Sequence, residues 1–384
     1  MNQRLRIIYL VDSLRDSESP TVMHVRRLSR LLNRHEFTAR VIAMCDEPGD
    51  SRGSGLSCPV DGLGYTEGRP LAIIRARLRL QRLLRTQPCD VVTVYDRVAR
   101  MTGLPIVHSV HKGICVANTR DMGHGMTSAD LERLRRANEA AHRFVTTSSA
   151  VAARLMRQEK VFRDWIDIIP PATTIVPFPP RTPESTLTAK HSFGLSQAQR
   201  VTLLDNAFSA STDYICFLEA VKHLSPHHPH ARFVLLGKGS ADIRNDLLSE
   251  AQRMGIADHL IVVDDPGMRN TWMLAADAGI AVSHYEGAAD ALLRFMSAGL
   301  PVVATATGDN PETVHHGLTG YVVEPCEADA LAMRLHLLLA GGDLAREFGD
   351  AARKSVEDEF SDELEAKRYS DYYRAIVWSQ ISEQ

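Results

Sequence analysis

The sequence predicts an α/β protein made of two tandem doubly wound domains on parallel sheets. Three observations predict it. Short apolar runs alternate with helical patterns along nearly the whole chain, one Pro/Ser/Thr-rich stretch interrupts that alternation, and 384 residues exceed what one ordinary core organises. In the first half, residues 6–11 form an apolar run ending in Asp12-Ser13, a helical pattern follows through Leu32, and a second run spans 39–44. Such a strand, helix, strand unit is the signature of a parallel sheet. Further strands are expected over 91–95, 105–110, 144–147 and 166–169, with a helix over 127–142. Residues 170–198 lack periodicity and read as a linker. Beyond it come strands over 200–204, 232–236, 260–263, 279–282 and 301–304, with helices over 213–224, 240–254, 269–276 and 290–298 between them. The final stretch, 342–376, reads as one long amphipathic helix able to pack back on the first domain. The expected divisions are 1–172, a linker over 173–198, a second domain over 199–355, and a returning C-terminal segment over 356–384.

A net charge of −3 hides an asymmetry. Residues 1–180 hold 27 Lys/Arg against 18 Asp/Glu, whereas residues 181–384 hold 17 against 29. Arginines concentrate in two helical segments, 24–35 and 75–87, where Leu recurs at helical spacing. They are either solvated faces or a surface for anionic lipid or a phosphate-bearing substrate. A nucleic-acid partner is not expected, because no aromatic interleaving or DNA-binding motif accompanies them. Six scattered cysteines show no paired spacing for a zinc site or disulfide framework. The N-terminus has too few apolar residues before Asp12 for a signal-peptide core, so a cytoplasmic location is expected.

Several motifs carry chemistry. Gly237-Lys238-Gly239 follows an expected strand and Glu286-Gly287 precedes an expected helix. A Gly-rich turn at a helix N-terminus lets backbone N–H groups approach phosphate oxygens, and the helix dipole adds to the attraction. The plainer readings are an ordinary strand-to-helix turn and a favourable acidic cap. His111 and Lys112 end the run over 105–110, where they either face a ligand or serve structure.

The order of these features resembles the GT-B glycosyltransferases, specifically the large retaining group called family 4. The resemblance is carried by Phe233 to Gly239, by Ala275 to Ser283, by Glu286-Gly287 with Ala298 to Ala304, and by Gly317 to Val323. Phe360-Ser-Asp with Tyr369 and Tyr372-Tyr373 resembles the family's closing helix. It implies two Rossmann-like domains facing a central cleft, a UDP- or GDP-linked sugar as donor, and a polysaccharide or lipid-linked acceptor. It implies no metal and no cofactor, and a basic half lying against the inner face of an anionic membrane. By resemblance His111 and Glu286 are catalytic, with Glu286 beside the donor sugar. Gly237, Lys238, Gly239, Gly287 and Arg294 bind the donor, and Lys112 lies on the acceptor side.

The chain departs from the pattern at its ligand contacts. The family places a ribose-holding Glu two turns after the first, where this chain has Arg294, which can only donate hydrogen bonds. The family's Arg and Lys clamp on the diphosphate falls at Ala207 and at Thr212 or Asp213, with Asp205 nearby. The family's Gly-Gly loop after the first strand is replaced by Ser17-Glu-Ser-Pro20. Either Arg294, Lys238 or Lys112 compensates, or the chain is a catalytically inactive binding or partner subunit.

Overall fold

The computed structural model describes residues 4–16, 19–49, 55–111, 113–120, 122–123, 125–175, 181–205, 207–237, 239–285 and 289–382. The chain divides into two compact units, Met1–Pro170 with Asp362–Gln384, and Pro171–Ser361.

The first unit holds a seven-stranded parallel sheet in the order β3-β2-β1-β4-β5-β6-β7. The strands are β1 Leu5–Val11, β2 Phe37–Ala43, β3 Val60–Gly62, β4 Val91–Val94, β5 Ile114–Thr119, β6 Arg143–Thr146 and β7 Ile166–Ile168. Ile7 pairs with Val91 and Leu10 with Val94, so β1 and β4 run side by side in register. Strand order reverses between them, which places the ligand-accessible crevice of this sheet at their carboxyl ends. Every residue of β4 and β5 is buried, as expected of strands covered on both faces.

One expected strand is a helix. Residues 105–110 belong to Leu104–Val110, which continues a wider helical turn over Ala99–Gly103. Pro105 sits in the first turn, where its missing N–H costs nothing and its fixed φ suits the helix. The β-branched residues Ile106 and Val107 suggested a strand, but packing prevails, with Leu104, Ile106 and Val107 all buried. Gly103 permits the close approach, since a Cβ there would lie 2.5 Å from Leu10 Cδ2. The strand of this region is β5, which begins four residues after Val110.

The second unit holds a six-stranded parallel sheet in the order β10-β9-β8-β11-β12-β13. Its strands are β8 Val201–Leu204, β9 Arg232–Leu236, β10 Leu260–Val263, β11 Ala278–Ala281, β12 Val302–Thr305 and β13 Gly320–Val323. Its order reverses between β8 and β11, which pair Leu204 with Ile280. The expected linker carries a helix of its own, Pro183–Ser192, started by a reciprocal cap between Thr182 and Ser185. Its sequence shows almost no amphipathic period, which is why periodicity missed it.

The long terminal helix is two helices. Gly342–Glu359 ends at Phe360, buried in the second unit's core, and the chain restarts as Asp362–Ser382 within the first unit. Ala366, Tyr369, Tyr373 and Ile376 recur at helical spacing and pack with Tyr9, Val25, Phe37 and Tyr95 of the first unit. A buried polar cluster fixes the register. His24 Nδ1 lies 3.0 Å from Glu365 Oε1, Arg27 Nε lies 3.2 Å from Glu365 Oε2, and Asn118 Nδ2 donates to Tyr369 Oη at 2.8 Å. Burial holds His24 below the ordinary histidine range; the Glu365 charge opposes that push, and the Arg120 and Arg27 charges add to it.

Candidate functional site

At the reversal point of the second sheet, three charged side chains from three elements converge. Asp205 follows β8, Arg269 opens the helix Arg269–Ala275, and Arg294 lies in the helix Asp290–Ser297 that follows β11. Arg294 donates to Asp205 Oδ2 from Nη2 at 2.7 Å and from Nε at 3.2 Å, and Arg269 Nε lies 3.3 Å from the same oxygen. The Asp205 side chain is 0% exposed, and those of Arg269 and Arg294 are 16% and 17% exposed. Two guanidinium groups thus meet on one oxygen of a buried carboxylate. Local packing sets this geometry. Leu292, Leu293, Phe295 and Met296 face the core, and Arg294 occupies the less buried side of the helix. Gly279 of β11 lets Phe295 lie against the strand, since a Cβ there would meet the ring at 2.4 Å.

The neighbouring loops are well anchored. Gly237 and Gly239 take φ of +130° and +35°, backbone that disfavours any side chain, and a Cβ on Gly239 would meet the Phe208 backbone at 2.4 Å. The Gly237 N–H, expected to be offered to phosphate, instead donates to the Val263 carbonyl at 3.1 Å. After β11, Ser283 Oγ and Thr307 Oγ1 lie 2.8 Å apart, and Ser283 N–H donates to Thr305 Oγ1 at 3.0 Å. These hydroxyls tie the loop after β11 to the end of β12. Lys238, Glu286, Gly287 and Lys112 lie outside the described residues.

His111 does not reach a ligand end. It caps the helix Leu104–Val110 and sits before β5, beside Cys89, whose Sγ is 3.4 Å from His111 Nδ1. Cys89 and Asp90 precede β4, so His111 lies at the amino edge of the parallel sheet, opposite the carboxyl edge where such sheets take ligands. Burial lowers its pKa, with the Asp90 charge opposing. The premise that His111 ends a strand is thus corrected, and the residue after β5 is Arg120, buried and 3.7 Å from Glu365.

Sequence reading missed the carboxylates at the reversal point of the first sheet. Asp12, after β1, accepts from the N–H groups of Val98 and Ala99 at 3.0 and 2.6 Å. Its own N–H donates to Asp96 Oδ2 at 3.2 Å, and Asp96 Oδ1 accepts from the Thr21 hydroxyl at 2.6 Å. Burial, and then the Asp96 charge, push Asp12 up to about 6. The signal was present as an acid directly after an apolar run, but a strand-end acid is common enough that only the second carboxylate, 84 residues away, distinguishes it.

Two parallel sheets, each with its reversal point and charged carboxyl edge, define the GT-B class of two Rossmann-like domains. Comparison with known proteins carries this to the family. Residues 21–174 match the family described as Glycosyltransferase Family 4, and residues 191–355 match Glycosyl transferases group 1. The chain belongs to the GT-B glycosyltransferases of the family 4 kind.

A D-inositol 3-phosphate glycosyltransferase of Streptomyces coelicolor is 25% identical over 304 residues, covering 73% of this chain and 66% of that protein. A Vi polysaccharide biosynthesis protein, VipC/TviE, of Salmonella typhi is 30% identical over 101 residues, covering 26% of this chain and 17% of that one. The chain thus spans from about a sixth to just under two thirds of the length of these relatives. Among solved structures, Anabaena Alr3699/HepE in complex with UDP and glucose superposes with a TM-score of 0.83 at 15% identity, covering 97% of this chain and 100% of that one. A glycosyltransferase from Rickettsia africae gives 0.82 at 17% identity, covering 98% and 99%.

Proposed function

We propose that the chain binds a UDP- or GDP-linked sugar at the carboxyl ends of β8 and β11. It transfers that sugar, with retention at the anomeric carbon, to a polysaccharide or lipid-linked acceptor. The observation that carries this reading is the convergence of Arg269 and Arg294 on the buried Asp205. A diphosphate brings about two negative charges, and forked guanidinium groups suit phosphate oxygens better than any other side chain. Arg294, standing where a ribose-holding carboxylate is expected, takes up the phosphate side of the donor. Transfer then asks of the protein mainly that it hold the leaving diphosphate and position the acceptor hydroxyl. The UDP complexes of the similar Anabaena structure support a nucleotide-linked donor.

The test is incubation of the full chain with UDP- and GDP-linked hexoses, followed by proton NMR. Release of nucleotide with the donor's own anomeric configuration appearing first is expected; first appearance of the opposite anomer contradicts retention. One observation favours a second reading, a non-catalytic subunit: a carboxylate, Asp205, stands near the place where the phosphate clamp belongs. Nucleotide binding with no turnover of any donor would favour it.

The basic half suits an anionic membrane surface. In the helix Pro70–Thr86, Leu71, Ile74 and Leu78 are exposed along one face, flanked by Arg75, Arg77, Arg82 and Arg85 with no acid in the helix. Among the described residues no helix is long and apolar enough to cross a membrane, so contact through this helix would be interfacial. Sedimentation with phosphatidylglycerol-containing vesicles is expected to carry the protein down. Replacing Leu71, Ile74 and Leu78 together by Ser should reduce that partition about tenfold or more. Wild-type protein remaining in the supernatant contradicts the contact.

A further inference from the structure

A second cluster lies near the same sheet edge, built from residues far apart in the chain. Asp213 caps the helix Tyr214–Leu224, with Oδ1 accepting from Cys216 N–H at 3.1 Å. Its other oxygen, Oδ2, lies 3.4 Å from His284 Nδ1 and 3.6 Å from Cys326 Sγ. The three donor atoms all fall within 4.8 Å of one another. We infer that Asp213, His284 and Cys326 form a site for a divalent transition metal of the zinc class.

The donor set fits that class. Carboxylate, imidazole and thiolate are the three ligand types zinc takes, at about 2.0 to 2.3 Å. For tetrahedral angles those bond lengths place carboxylate oxygen about 3.3 Å from a nitrogen and about 3.5 Å from a sulfur. The two separations from the carboxylate oxygen match these edges, and the third, between Nδ1 and Sγ, falls within 4.8 Å.

The scaffold is rigid where it needs to be. Asp213 N–H donates to the Val282 carbonyl at 3.1 Å, His284 N–H donates to the Ser211 carbonyl at 2.9 Å, and Thr212 bridges Ser283. The main chain under both ligands is thereby fixed, and the carboxylate itself is oriented by the Cys216 N–H on its other oxygen, the support that metal ligands characteristically receive. Cys326 adopts φ +65°, backbone that a non-glycine residue takes up only when its surroundings fix it. Asp213 is buried while the His284 side chain is 51% exposed and Cys326 is exposed, so a fourth position opens to solvent.

The place gives the site a role, which rests on the donor-binding reading above. The family resemblance expects the clamp lysine at Thr212 or Asp213, and an acid there repels a diphosphate. On binding, the metal displaces the thiol proton to solvent, and metal, thiolate and carboxylate together are neutral. The local charge therefore rises by one, and the open position can take a phosphate oxygen.

The test is a Co(II) titration of the purified, metal-stripped full chain. One equivalent should bring thiolate-to-cobalt absorption in the near ultraviolet and visible bands of tetrahedral intensity. Cys326→Ser should abolish the thiolate band, and His284→Ala, on a half-exposed side chain that the fold tolerates losing, should weaken binding about tenfold or more. No cobalt spectrum in wild type, or a spectrum unchanged in both variants, overturns the site. UDP binding about tenfold tighter in the zinc-loaded chain supports the phosphate role, and equal affinity overturns that role while the site stands. Absence of both UDP and GDP binding in either state overturns the donor reading, not the metal site.

Discussion

Replacing Glu365 by Gln should lower the stability of the first unit by about 3–5 kcal/mol, the cost of removing one partner from a buried charge cluster. The Glu365 side chain is 1% exposed and faces His24, Arg27 and Arg120, and Asp362 also lies against Arg27. With the carboxylate gone, buried guanidinium charge is left under-compensated, and the helix Asp362–Ser382 loses the anchor of its first turn. Denaturant unfolding followed by a probe in that helix reads the effect. The dependence on pH has a definite sign. Glu365 is held below the ordinary glutamate value of 4.5, against its burial, by the charges of His24, Arg27 and Arg120. A depressed carboxylate contributes stability that is present above the unfolded value and lost as pH falls through the folded one. The gap between wild type and Glu365→Gln should therefore be constant from pH 7 to about 5 and narrow below about 4.5. A gap that is constant throughout, or that widens in acid, contradicts the ion cluster as its source.

Replacing Arg294 by Gln should weaken nucleoside diphosphate binding about 10- to 100-fold, the effect of losing one charge-assisted contact worth about 1.5–3 kcal/mol. The fold should tolerate the change, because Arg269 still compensates Asp205 and a Gln amide can donate to the same oxygen. Arg294→Lys keeps the charge but loses the fork, and its affinity should fall between the two. The variant should also show a shallower salt dependence than wild type. Equal affinities in wild type and Arg294→Gln would place the nucleotide elsewhere.

The fold was legible in the sequence because apolar runs and helical periods are local signals. The strands over 232–236 and 260–263 appear in the structure with the expected bounds. Reading failed where local signal and packing disagree. Leu104–Val110 has the composition of a strand and the packing of a helix, and that single misreading moved His111 from the amino edge of its sheet to the ligand edge. The linker helix Pro183–Ser192 has a cap but no amphipathic face, so the sequence read as a linker throughout.

The site was half legible for a different reason. Asp205 and Arg294 were each visible as departures from a family pattern, one an unwelcome acid and the other a misplaced base. They are 89 residues apart, and only the fold shows that they are partners. Seen together, the two departures compensate one another instead of counting as two losses. Asp12 with Asp96, and Asp213 with His284 and Cys326, were invisible for the same reason. Each is assembled by the parallel topology from the ends of strands that are neighbours in space and distant in sequence.

The central claim, that the paired arginines at the end of β8 hold a nucleoside diphosphate, is tested most directly by calorimetric titration of the full chain with UDP and with GDP. Saturable binding of at least one of them with a Kd below about 1 mM, the affinity two or three charge-assisted contacts sustain, is the predicted result. No heat of binding from either nucleotide at millimolar concentration would contradict it.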